Sequence, residues 1–168
     1  MLRDVTFDER LVAPLPRLVA ACEPAAMNES RAIADLCIAG ELCMLRPLKA
    51  EDAEVAYPML HGRREILDWL VWSGPRTLEE LADHYRHWRT ESDAGTSHHL
   101  ALAIPQAERL CGSISLRPNS EPGGGELGYW VGAEHWGKGI GSEAVRLACH
   151  LAFRHLLFER LRADVFDG

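Results

Sequence analysis

GYWVGAEHWGKGIGSEA, residues 128 to 144, is the most informative segment of the chain. The alternation that ends at Val131 predicts a strand, closely spaced glycines follow it, and apolar residues at helical spacing resume after Gly141. The start of a helix leaves unsatisfied backbone amides and a partial positive charge, and glycine lets a ligand approach the backbone closely. A strand, a glycine-rich turn and a helix in this order therefore predict a site for an anion, most naturally a phosphate.

Two common phosphate-binding motifs fit this segment only in part. Gly137 and Gly139 match the first two glycines of the dinucleotide fingerprint G-x-G-x-x-G, but Ser142 occupies the position of the third glycine. Gly132, Gly137 and Lys138 match the P-loop motif, but Gly139 occupies the position at which a serine or threonine would hold magnesium. A P-loop-like nucleotide binder therefore remains a distant alternative.

The rest of the chain is organised around this segment. In residues 98–116, apolar side chains recur at every second position on both sides of a four-residue turn, which predicts a β-hairpin. The same pattern in residues 126–131 predicts a third strand. Thr77 and Glu80 form a capping box at the start of a helix, whose predicted buried face contains Leu81, His84, Tyr85 and Trp88. The other predicted elements are helices over 28–39, 51–60, 64–72 and 141–153 and strands over 42–47 and 161–166.

Composition limits the class of protein. The 168 residues, 47% of them apolar and 26% charged, predict a single globular domain. A net charge of −7 without a basic stripe argues against nucleic acid as the main ligand. The chain has no run of 18 apolar residues, so we expect no membrane span. Its five cysteines lack C-x-x-C spacing, which favours reduced thiols in a cytoplasmic protein over disulfides or zinc.

The glycine-rich segment resembles the coenzyme A (CoA) motif of the GNAT N-acetyltransferase superfamily. That motif reads Arg or Gln, two residues, Gly, one residue, then Gly or Ala, and Trp136, Gly139 and Gly141 occupy its places. Tryptophan at the first place, together with Gly128-Tyr129-Trp130 on the preceding strand, resembles the pattern of the RimJ/RimL-type branch, which comprises the ribosomal-protein N-terminal acetyltransferases. Leu45-Arg46-Pro47, Glu51-Asp52-Ala53 and Cys111-Gly112-Ser113-Ile114 resemble landmarks of that branch in the same order, so the resemblance covers about residues 40–168.

The resemblance implies an α/β fold and an enzymatic function. The fold is a mixed, mostly antiparallel twisted sheet with helices on both faces and a cofactor groove between its fourth and fifth strands. The function is transfer of an acetyl group from acetyl-CoA, without a metal, to a primary amine, either a protein N-terminus or a small molecule. A catalytically inactive acyl-CoA-binding relative is the alternative. The implied cofactor-binding residues are Trp130, Val131, Gly132, Ala133, Trp136, Gly137, Lys138, Gly139, Ile140, Gly141 and Ser142.

Catalytic roles are less well defined. A carboxylate at Glu126 resembles the general base of some relatives, acting directly or through water, but pairing with a basic side chain fits it equally. Tyr129 is a candidate hydrogen-bond donor or a core aromatic residue. His98 and His99 face opposite sides of their strand, which favours one surface and one packed histidine over a proton relay. Three tryptophans are core residues or walls of an acceptor pocket: Trp69, Trp72 and Trp88.

The two ends of the chain carry separate expectations. Residues 1–40 are an N-terminal extension of uncertain role, and residues 41–168 are the acyltransferase domain. Compared with the family, the final helix and hairpin are missing, and on topological grounds we do not expect the first 40 residues to replace them. We therefore expect exposed sheet edges and, as a consequence, self-association.

Overall fold

Residues 2–8 and 37–166 are described by a computed structural model of the chain. The elements in chain order are β1 (Leu2–Asp8), β2 (Ile38–Ala39), β3 (Met44–Pro47), α1 (Asp52–Leu60), α2 (Arg64–Leu67), α3 (Leu78–Ala94), β4 (His98–Ile104), β5 (Arg109–Pro118), β6 (Gly124–Val131), a short 3-10 turn (Ala133–His135), α4 (Ile140–Arg154) and β7 (Arg160–Phe166).

The strands form one mixed sheet in the order β1-β7-β6-β5-β4-β3-β2. Every neighbouring pair is antiparallel except β6 and β7, which are parallel. Alternate strand residues face two separate apolar clusters. One cluster contains α4 with Leu102 and Val131, and the other contains α1 and α3 with Ala101 and Trp130. Helices therefore cover both faces of the sheet, as expected.

Two central strands separate along their length. β6 and β7 pair only from Gly124↔Arg160 to Glu126↔Arg162. The rest of β6, as far as Val131, remains paired with β5. A wedge-shaped opening therefore lies between β6 and β7, in the place where the family resemblance predicts the cofactor groove.

The N-terminal strand corrects one expectation. β1 pairs with β7 along its whole length, from Leu2↔Phe166 to Asp8↔Arg160, and the Asp4 carboxylate lies 3.3 Å from Nε of Arg162. Residues 2–8 thus cover the edge of β7 that we expected to be exposed, so the expectation that the N-terminal residues would not fill this place is wrong for them. Self-association remains a prediction, but that edge no longer supports it.

Two of the predicted helices differ from the structure. Of the helix predicted over 28–39, residues 28–36 lie outside the described residues, and Ile38–Ala39 form β2 instead. The helix predicted over 64–72 ends at Leu67, because the amides of Trp69 and Leu70 bond the carbonyls three residues back. These tighter turns end the helix.

The capping box at the start of α3 is confirmed in one half. The amide of Glu80 donates to Oγ1 of Thr77 at 3.1 Å, as predicted. The Glu80 carboxylate accepts instead from the amide of Arg76, at 2.9 Å, rather than from the amide of Thr77. Both bonds satisfy backbone donors at the helix start.

The described cysteines form no disulfide with one another. Cys43, Cys111 and Cys149 are buried, and burial raises the pKa of Cys111 and of Cys149 to about 11. Thiols of this kind are poor nucleophiles at neutral pH. Cys22 lies outside the described residues. None of the described helices is long and apolar enough to cross a membrane.

Candidate active site

A cleft of about 950 Å³ occupies the opening between β6 and β7. One end is lined by the start of α4, with Gly137, Gly139 and Ser142. The other end crosses the face of the sheet that carries α1 and α3, and it is lined by tryptophans and by His99. Residues from α2, α3, four strands and α4 therefore meet in one continuous space.

The glycine-rich turn forms a cradle of backbone amides. Gly139 is the N-cap of α4, no side chain in the described part of the chain caps this helix end, and the amide of Glu143 makes the first intrahelical bond, to the carbonyl of Gly139 at 3.0 Å. Gly137 and Gly139 have φ values of 71° and 79°, which strongly favour glycine. The open amides and the helix dipole suit an anion such as a phosphate.

Two cationic side chains reinforce the cradle. Nζ of Lys138 donates to the carbonyl of Glu134 at 2.8 Å, and Nε of Arg146 donates to the carbonyl of Ser142 at 3.3 Å. Both side chains are exposed, so they can add positive charge near a bound anion. Lys138 was predicted on resemblance, whereas Arg146 was not identified from the sequence.

Glu143 fastens the helix of the cradle to the edge of the sheet. Its carboxylate accepts from the amides of Glu41, Leu42 and Cys43 at 3.1, 2.8 and 2.8 Å. A Cβ added at Gly40 would lie 2.5 Å from the carboxyl carbon, so glycine makes room for this contact. This role of Glu143 was not predictable from the local sequence, because its partners lie about a hundred residues away in the chain.

The backbone of β6 presents polar groups to the opening. Gly112 lies opposite Val131, and the amide of Gly132 donates to the carbonyl of Cys111 at 2.8 Å. Because antiparallel strands alternate in the direction of their bonds, the amide and carbonyl groups of Tyr129 and Val131 point away from β5. They point into the cleft, which has the geometry to accept an extended ligand as an added strand.

Trp136 occupies the first place of the predicted motif. Its Nε1 donates to the carbonyl of Val131 at 2.7 Å, and its half-exposed ring lines the cleft. This bond uses the Val131 carbonyl, whereas the Val131 amide still points into the opening. An arginine or glutamine at this place could make a similar donation, which accounts for tryptophan as a replacement.

The predicted cofactor-binding residues divide into two groups. Gly132, Ala133 and Lys138 lie beside the cleft but do not line it. The others line it: Trp130, Val131, Trp136, Gly137, Gly139, Ile140, Gly141 and Ser142. Their role in binding remains a prediction.

The two predicted catalytic residues lie in different parts of the cleft. The Glu126 carboxylate accepts from Nη2 of Arg117 at 2.6 Å, and both side chains are partly exposed. Five residues of extended strand span about 16 Å, so Glu126 cannot directly reach a group held by the amide of Val131. Tyr129 is 45% exposed, and its ring lies beside Gly141, on the face of the sheet that carries α4.

The two adjacent histidines are both buried, each at 8% exposure, so the expectation of one surface histidine is wrong. The ring of His99 stacks on Trp88 with centroids 4.9 Å apart, and its Nε2 lies 3.0 Å from the Glu91 carboxylate. Burial lowers the pKa of both histidines, and for His99 Glu91 opposes this effect. His99 is therefore neutral at physiological pH and presents a flat ring to the cleft.

This burial predicts loss of stability in acid. As pH falls below 6.5, the ordinary pKa of histidine, the unfolded chain takes up protons that the folded chain accepts only at lower pH. The free energy of unfolding should then fall by up to about 1.4 kcal/mol per pH unit for each such histidine. Urea unfolding at a series of pH values measures this slope. His99→Gln should reduce the slope below pH 6.5, and an unchanged slope would contradict the assignment.

The fold is that of an α/β protein whose mixed sheet divides at a cleft beside an uncapped helix start. A model of the acetyltransferase (GNAT) domain matches residues 43–167. The chain therefore belongs to the GNAT acetyltransferase family.

Individual relatives agree with this assignment. The uncharacterized N-acetyltransferase p20 of Bacillus licheniformis is 25% identical over 126 residues, which cover 74% of this chain and 70% of that protein. The ribosomal-protein-S5-alanine acetyltransferase of Vibrio fischeri has a TM-score of 0.64 at 19% identity, covering 77% of this chain and 73% of that one. Mycobacterium smegmatis RimJ, solved in complex with CoA-disulfide, has a TM-score of 0.66 at 18% identity, covering 73% and 62%. The two structures establish a likeness of fold alone.

Metal ligands do not cluster in the part of the chain that the structure describes. Within residues 2–8 and 37–166, no group of three or more His, Cys, Asp and Glu side chains is placed to hold a metal ion.

Proposed function

We propose that this chain is an N-acetyltransferase of the RimJ/RimL type, which transfers the acetyl group of acetyl-CoA to a primary amine. The observation that carries the proposal is the coincidence, within a GNAT domain, of an uncapped glycine-rich helix start with the opening between β6 and β7. We place the reaction in the cytoplasm, which agrees with the free, buried cysteines.

The residues present fit acetyl-CoA. The amides from Gly139 to Ser142 would hold the pyrophosphate, with Lys138 and Arg146 nearby to balance its charge. The pantetheine arm would lie along β6 and bond the backbone of Tyr129 and Val131 as an added strand. The cofactor supplies an acetyl group activated as a thioester.

The transfer itself is explained by groups of β6. The amine nitrogen forms a bond to the acetyl carbon and the carbon–sulfur bond breaks, so that sulfur leaves with the electron pair. The Val131 amide points to where negative charge develops on the acetyl oxygen and stabilises it. The proton that nitrogen loses passes toward Glu126 along a chain of water molecules, since the distance is too long for direct transfer. The Tyr129 hydroxyl is our candidate donor to the departing sulfur.

Release of free CoA measures this reaction directly. The full chain is mixed with acetyl-CoA and a panel of amines that includes short peptides, polyamines and aromatic amines. Thiol formation is followed with a colorimetric thiol reagent, and the acetylated product is identified by mass spectrometry. We expect amine-dependent thiol release. Binding of acetyl-CoA without thiol release for any amine would instead support the inactive acyl-CoA-binding relative.

A further inference from the structure

The acceptor end of the cleft carries an inference that rests on the proposed function and narrows its substrate. On the face of the sheet that leads away from the opening, small polar residues line the cleft, whereas its walls include three tryptophans: Trp69, Trp72 and Trp88. The cleft thus joins a place for the reacting amine to a separate place for the group that carries it.

The floor of this end is a narrow trench across three strands. His99 lies opposite Ser115, and Ser115 lies opposite Gly128. The trench is open because Ser115 is small and Gly128 has no side chain, and a Cβ at Gly128 would lie 3.3 Å from Oγ of Ser115. Two strand spacings make the trench about 10 Å long, from the opening at Gly128 to the ring of His99.

The far end of the trench is enclosed by flat rings. Trp88 stacks on His99 at an interplanar angle of 4°, and Trp72 meets Trp88 edge-on, with centroids 6.3 Å apart and planes at 70°. Trp69 lines the same cleft and is 52% exposed, although the ring is large and apolar. The exposed indole of Trp69 beside these partly buried rings offers a face and an edge to another flat ring.

The charged groups of the cleft suit an ammonium ion. Glu126 and Asp164 line the cleft together with Arg117, whose guanidinium already donates to Glu126. At the far end, the Glu91 carboxylate contacts the neutral His99. Asp164 likewise accepts from the guanidinium group of Arg162, at 3.4 and 3.3 Å, and the chain as a whole carries a net charge of −7. The net negative charge of the protein favours the approach of a cationic amine.

We propose that the acceptor is a primary amine joined by a short chain to a flat aromatic ring, that is, an arylalkylamine. The ring lies over the trench among Trp69, Trp72 and Trp88, and the short chain carries the nitrogen to the opening between β6 and β7. The products are the N-acetylated arylalkylamine and free CoA, and one proton is released.

A comparison of phenethylamine with ethylamine tests the proposal, because the two differ only in the ring. The KM of phenethylamine should be at least about tenfold lower, since the ring is buried against indoles. A peptide with an N-terminal serine serves as the third acceptor. Equal KM values for the two amines, or the highest kcat/KM for the peptide, would overturn the proposal.

Substitutions at Trp69 separate the aromatic contact from a general effect on folding. Trp69→Ala should reduce the ratio of kcat/KM between phenethylamine and ethylamine, and Trp69→Phe should largely preserve it. Leu78→Ala, which removes an exposed apolar side chain outside the cleft, should leave the ratio unchanged. An unchanged ratio in Trp69→Ala would count against the assigned position of the ring.

The outcome remains decisive if no amine is acetylated. In that case the proposed function fails, and calorimetric titration of the protein with each amine in the presence of CoA tests the acceptor site alone. Phenethylamine should still bind at least about tenfold more tightly than ethylamine. Equal affinities, or no binding of either amine, would overturn the acceptor assignment.

Discussion

Replacing Gly139 with alanine is expected to weaken acetyl-CoA binding by about 10- to 100-fold, because misalignment of one or two hydrogen bonds to a charged group costs about 1.5–3 kcal/mol each. Gly139 has a φ of 79°, and a Cβ there would lie 3.3 Å from Cδ1 of Leu42. An alanine must either adopt a strained conformation or move the amides of the cradle. Isothermal titration calorimetry with acetyl-CoA measures the loss.

Gly62→Ala is the matched control for this substitution. Gly62 has a φ of 70°, nothing lies within 4 Å of an added Cβ, and the residue lies outside the cleft lining. Both variants should lose about 1–2 kcal/mol of folding free energy through backbone strain. Only Gly139→Ala should lose affinity for acetyl-CoA. Equal affinities in the two variants would show that this turn does not hold the ligand.

Asp52→Asn is expected to destabilise the fold by about 3–5 kcal/mol, because it leaves a buried arginine without its counter-charge. Two nitrogens of Arg46 donate to the Asp52 carboxylate at 2.8 and 2.7 Å, and both residues are under a tenth exposed. Arg46 also donates to the carbonyls of Pro47 and Glu108. The pair thus joins β3 to α1 and to the β4–β5 turn. Urea denaturation measures the loss.

Two comparison variants make this prediction specific. Asp93→Asn breaks the exposed pair with Arg89 on α3, and it should cost no more than about 1 kcal/mol. The double variant Arg46→Met/Asp52→Leu removes both buried charges, and it should be less destabilised than the sum of its single substitutions. A loss in Asp52→Asn no larger than that in Asp93→Asn would contradict a structural role for the buried pair.

Local patterns in the sequence predicted most of the elements near the cleft. Period-two alternation predicted β4 and β5, the Thr77 hydroxyl was correctly predicted to accept from Glu80, and the glycine-rich turn was correctly placed before α4. These features depend on neighbours within a few residues. The spacing of the glycines alone did not assign the fold, because two other phosphate-binding motifs fitted the turn in part. The ordered landmarks of a known family favoured its motif over those two.

Long-range contacts were not predictable in the same way. The pairing of β1 with β7 joins residues more than 150 positions apart, and β1 carries no local signal of its partner. The hydrogen bonds of the Glu143 carboxylate to the amides before β3 and the stacking of His99 on Trp88 likewise depend on the tertiary fold. Helical spacing indicated that Trp88 would pack inward, but it could not show that the packing surface also lines a cleft.

Thermal unfolding of the full chain with increasing acetyl-CoA, beside the same titration with ATP and magnesium, tests the proposed cofactor site most directly. A ligand that binds only the folded state stabilises it by about 2.7 kcal/mol at one hundred times its dissociation constant. We predict a saturating rise in melting temperature with acetyl-CoA and none with ATP and magnesium. A rise with ATP and magnesium alone would contradict the acetyltransferase assignment of this cleft.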